Sequence, residues 1–132
     1  MKKILLTSIL LGTMVLGSIG VSASTSEGNN KWQYNKDLKG YTYQLNNIQA
    51  HDGIAQINND LYYFDSLGVM VSNNWISYGN YKMYAEDNGQ IVTGWKMIEG
   101  KWYYFSNGGI MLTGEINLNG KIYNLASDGH LL

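Results

Sequence analysis

The side chains that could do chemistry in this chain are chiefly aromatic: 4 tryptophans and 11 tyrosines stand among 132 residues, against 2 histidines and no cysteine. Indole and phenol rings carry large apolar faces with a negative quadrupole, so they serve either packing or the capture of a cation. Groups suited to catalysis are scarce. His51 and His130 lie in polar, turn-like contexts outside any metal-ligand spacing. Asp37 and Asp52 fall in a poorly patterned segment, and Asp60 and Asp65 flank a β-prone run, so none reads as half of a glycosidase carboxylate pair. Asp87-Asn88-Gly89 and Ser127-Asp128-Gly129 lack the alternating oxygens and distal glutamate of a calcium loop. There is no phosphate-cradling loop and no nucleophile elbow. The expectation is a non-enzymatic chain with no metal and no cofactor.

Composition narrows the partners. A formal charge of -1 and basic residues that are all lysine remove the guanidinium forks suited to phosphate and guanine, so nucleic acid is not expected as a partner. Without cysteine a small exported fold must be held by packing, ligand or assembly.

Lys2 and Lys3 precede an apolar stretch from Ile4 to Val21, and Val21-Ser22-Ala23 offers small residues for cleavage. Residues 1–23 are therefore expected to be a signal peptide, leaving a secreted chain that has no membrane contact after processing. Residues 24–39 open with a small polar run and are expected to form a flexible leader.

Beyond the leader the chain repeats itself. Four units start at Gly53, Asn74, Gly94 and Gly114, spaced by 21, 20 and 20 residues, which gives repeats at 53–73, 74–93, 94–113 and 114–132. Gly68, Gly89, Gly109 and Gly129 recur at one position, and Met70, Ile91, Met111 and Leu131 recur two residues later. A weaker, degenerate half-repeat covers 40–52, with Tyr41 and Tyr43 at the positions of Trp102 and Tyr104.

Within a unit, two β-prone runs such as Trp95 to Ile98 and Lys101 to Phe105 are separated by a Gly-containing turn, which predicts a β-hairpin. One such hairpin cannot bury its own apolar face, so successive hairpins must stack. The expected fold is all-β, a solenoid of stacked hairpin repeats of about 20 residues. Alternation along a strand turns Trp102 and Tyr104 to one face and Tyr103 and Phe105 to the other.

The unit GWKMIEGKWYYFSNGGIMLTG, from Gly94 to Gly114, resembles the choline-binding, or cell-wall-binding, repeats of Gram-positive surface proteins. Similar units occur in glucan-binding domains and in the carbohydrate-binding repeats of clostridial toxins. The resemblance spans Gly53 to Leu132 and implies aromatic cages between neighbouring repeats that seat the choline of teichoic acid. It implies one site of Trp95, Trp102 and Tyr123, with Met111 as an apolar floor. A second would combine Trp75 and Tyr84 with Tyr103 or Tyr104, but Lys82 stands there in place of a cage tryptophan. The first unit has Ile54 and Leu61, and the last has Glu115, Ile122 and Asn124, at aromatic positions of the pattern.

Three readings stay open at the level of sequence. One is a secreted, cell-wall-associated protein that binds choline. Another is a lectin for glucan or wall polysaccharide. In the third, the aromatic surplus is a self-association surface.

Overall fold

The structure, a computed structural model, describes residues 3–5 through their backbone, and residues 30–45 and 47–132 in full. The expected signal peptide lies outside the described residues except for β1 (Lys3–Leu5), which pairs in parallel with β4 (Ile48–His51). No helix occurs among the described residues, which are all-β and built of repeated hairpins.

The expected leader and half-repeat take a definite form. Residues 24–29 lie outside the described residues, whereas β2 (Lys31–Asn35) pairs antiparallel with β3 (Gly40–Leu45), and β3 pairs with β4. Lys31 to Asn35 is thus strand rather than leader. The connecting turn is closed by the Asn35 carboxamide oxygen, which accepts the N–H groups of Asp37 and Leu38 at 3.0 Å each.

Four shorter hairpins follow: β5 (Gly53–Ile57) with β6 (Asp60–Phe64), β7 (Asn74–Tyr78) with β8 (Tyr81–Ala85), β9 (Gly94–Ile98) with β10 (Lys101–Phe105), and β11 (Gly114–Leu118) with β12 (Lys121–Leu125). Asn58-Asn59, Glu99-Gly100 and Asn119-Gly120 all have positive φ, the backbone of the two-residue turn whose twist matches the flanking strands. Each hairpin is followed by a second turn, in which Gly89 N–H donates to Glu86 O at 2.8 Å and Gly129 N–H to Ala126 O at 2.9 Å. Glycine is required at these two positions. With φ of 82° and 93°, a Cβ at Gly89 or Gly129 would also meet the sulfur of Met70 at 2.2 Å or of Met111 at 2.4 Å.

The chain divides into two compact units, residues 1–74 with 85–91, and residues 75–84 with 92–132. In the first, Tyr43, Ala50, Ala55, Ile57 and Phe64 form the core, with Leu45, Tyr62 and Met70 packed against it. In the second, Val92, Ile98 and Phe105 are buried against Trp75, Tyr84, Tyr103 and Met111. Backbone bonds tie each second turn to an earlier strand: Met70 N–H donates to Tyr41 O in the first unit, and Met111 N–H to Lys82 O and Leu131 N–H to Trp102 O in the second. His51 departs from the expectation of an exposed turn residue. It is buried in β4, with Nδ1 2.7 Å from the Asp52 carboxylate and Nε2 without a partner among the described residues.

Candidate functional site

Register explains which aromatics meet. In the β9–β10 hairpin Trp95 lies opposite Tyr104 and Met97 opposite Trp102, so all four side chains share one face. Trp95 stands 5.1 Å from Tyr104 and 6.5 Å from Trp102, edge to face in both pairs, and 5.0 Å from Tyr123 of β12. The predicted group of Trp95, Trp102 and Tyr123 is therefore assembled, with Tyr104 beside it. Trp102 is 44% exposed, so its ring is available to solvent. Lys121 holds its ammonium 4.9 Å from the Tyr123 centroid, a cation on one of these rings already.

Met111 is placed elsewhere than the sequence suggested. It lines a cavity of about 200 Å³ with Trp75, Lys82, Tyr103 and Asp128. The reason is the linking bond: Met111 N–H reaches Lys82 O, whereas Leu131 makes the corresponding bond to Trp102. Around this cavity Trp75 stands 5.2 Å from Tyr84, 5.1 Å from Tyr103 and 6.0 Å from Phe105. The partner of Trp75 is thus Tyr103. Tyr104 turns to the opposite face and serves Trp95, as strand alternation requires.

A third aromatic group escaped sequence reasoning. Trp32 of β2 stands 5.0 Å from Tyr43, its cross-strand partner, 5.0 Å from Tyr62 and 5.8 Å from Phe64. Trp32, Tyr41, Tyr62, Met70, Ser72, Asp87 and Asn88 line a cavity of about 330 Å³. Trp32 is 37% and Tyr41 51% exposed, whereas Tyr43 is 7% exposed and acts as packing beneath them. Burial also raises the Tyr43 phenol above its ordinary value, so its hydroxyl stays protonated. The signal was present in Trp32-Gln33-Tyr34 and Tyr41-Thr42-Tyr43, two alternating aromatic runs that face each other across a turn.

Ile54 of the second hairpin, at the tryptophan position, is 3% exposed and contributes to packing. Among the described residues no three histidine, aspartate or glutamate side chains gather as a metal site. What the exposed rings can offer is an electron-rich wall for a ligand with little need of hydrogen bonds.

Comparison with known proteins agrees with this fold. Residues 92–132 match the family model of the choline-binding repeat, and residues 55–70 that of the putative cell wall binding repeat. The hairpins in these two stretches are choline-binding, or cell-wall-binding, repeats. Glucosyltransferase-S of Streptococcus mutans is 30% identical over 105 residues, which cover 76% of this chain and 7% of that enzyme. The structure of choline binding protein F from Streptococcus pneumoniae superposes with a TM-score of 0.69 at 31% identity, over 76% of this chain and 37% of that one. The pneumococcal cell wall endolysin from phage Cp-1, complexed with choline, gives a TM-score of 0.65 at 25% identity, over 83% of this chain and 32% of its own. The chain spans 7% of the curated relative's length and about a third of these solved chains. The residues described form a repeat region of the binding type.

Proposed function

We propose that the chain is a secreted, non-catalytic, cell-wall-associated protein that binds the choline of teichoic acid in its aromatic sites. The observation that carries this reading is the Trp32 cavity, where Trp32, Tyr41 and Tyr62 stand around an open space with Met70. A trimethylammonium group is large, weakly hydrated and without N–H donors, so ring quadrupoles suit it better than a single point charge does. Each ring contributes about 0.5–2 kcal/mol. Trp95, Trp102 and Tyr123 form the second site of this kind, with Tyr104 beside Trp95. Support comes from the similar endolysin, whose structure is a complex with choline.

The test is retention on a quaternary-amine resin followed by elution with free choline. Retention that free choline reverses is expected; passage of the folded chain straight through the column refutes the reading. A second reading, glucan binding, draws on the glucosyltransferase-S similarity. Sedimentation with insoluble glucan that persists in excess choline would select it, because stacking on a sugar face needs no cation.

A further inference from the structure

The Trp75 cavity shares its aromatic frame with the choline-type sites but differs in charge. Lys82 occupies the place that Trp102 fills one repeat later and lines the cavity with its side chain exposed. Its ammonium makes no ion pair or hydrogen bond among the described residues. A quaternary ammonium entering here meets an ammonium at close range, a repulsion that water screens only in part. The one acid lining the cavity is already engaged: the Asp128 carboxylate lies 2.5 Å from His130 Nδ1 and 4.0 Å from Lys101 Nζ. Hydrogen bonding from His130 holds Asp128 below the usual carboxylate range, so it stays ionised and committed to that partner. Lys82 is left as the uncompensated charge.

The apolar side of the cavity is equally informative. Trp75 and Tyr103 stand 5.1 Å apart with their planes at 74°, so they form two walls at an angle, with Met111 also in the lining. At about 200 Å³ the space falls below that of drug-sized ligand sites, roughly 300–1,000 Å³, and suits a single ring. We infer that this cavity binds an anionic sugar residue: a pyranose whose C–H face lies on Trp75 and Tyr103 and whose carboxylate or phosphate is held by Lys82. Lone pairs left on Asp128 accept ring hydroxyls. The inference is independent of choline recognition at the other two sites.

The experiment is a titration of the full chain by protein-observed NMR, following the Trp75 indole N–H, with glucuronate, glucose 6-phosphate, glucose and choline as probes. Saturable shifts with glucuronate or glucose 6-phosphate are expected, and whichever binds more tightly identifies the preferred acid group. Glucose should bind about threefold to tenfold more weakly, and Lys82→Gln should erase that difference while Lys82→Arg retains it. The inference is overturned if the four probes bind alike, if no acidic probe shifts the Trp75 signal, or if Lys82→Gln keeps the preference. Choline that fails at Trp32 and Trp95 would count against the proposed function and leave the sugar result standing.

Discussion

The Trp32 and Trp75 cavities are the same frame carrying different chemistry. The cross-strand tyrosine stands at 5.0 Å in one and 5.2 Å in the other, the later tyrosine at 5.0 Å and 5.1 Å, and the phenylalanine at 5.8 Å and 6.0 Å. Met70 and Met111 complete the pair. Among the ring positions one differs in kind, Tyr41 against Lys82, and both side chains are exposed. Packing tolerates little change in the buried members, because they must fill each other's space. The exposed member makes no such demand, and preference for a ligand can change there without disturbing the fold.

That comparison can be broken first at its buried members. Phe64→Ala and Phe105→Ala each remove a fully buried ring, and each should cost about 3–5 kcal/mol in denaturant unfolding. A loss under 1 kcal/mol at either position would show that the two frames are not equivalent. Next come the turns: Gly89→Ala and Gly129→Ala force a side chain into positive φ and against the methionine sulfur, at about 1–2 kcal/mol each. The second should also disturb the Trp75 cavity, visible as a changed Trp75 indole signal.

Binding sharpens the contrast further. Trp32→Ala should weaken the response to choline by about 0.5–2 kcal/mol at that site, as measured by calorimetry. Lys82→Trp should add one quaternary-ammonium site to the stoichiometry, because it restores the third ring to the Trp75 frame. An unchanged stoichiometry with an intact fold would refute the exchange of chemistry at this position.

The smallest effect concerns pH. The carboxyl of Asp128 is held below the ordinary aspartate value of 3.8 by the His130 hydrogen bond first and by the nearby cations after it. Its pKa is depressed in the folded chain, so its contribution to stability is present above 3.8 and is lost as pH falls through the lower folded value. Asp128→Asn should remove that part of the acid-side slope in thermal melts, a modest change because the group is exposed.

The hairpins and their turns were legible in the sequence because every pairing from Gly94 to Phe105 is local, and a period of 20 repeats it. Strand alternation also separated Trp102 and Tyr104 from Tyr103 and Phe105 correctly. Met111 was assigned to the wrong neighbour because its place depends on a bond to Lys82, 29 positions earlier, which no local pattern records. The Trp32 group was hidden by a longer turn. Trp32 precedes Trp75 by 43 positions while Tyr41 precedes Lys82 by 41, so the two strands of that hairpin fall out of step with the repeat even though their rings occupy equivalent places.

Neighbouring residues on β10 belong to different aromatic groups. Trp102 faces the ring set of Trp95, and Tyr103, the very next residue, closes the cavity of Trp75. A single module therefore contributes to two aromatic groups at once, so exchanging 94–113 for a foreign repeat would alter both in one stroke.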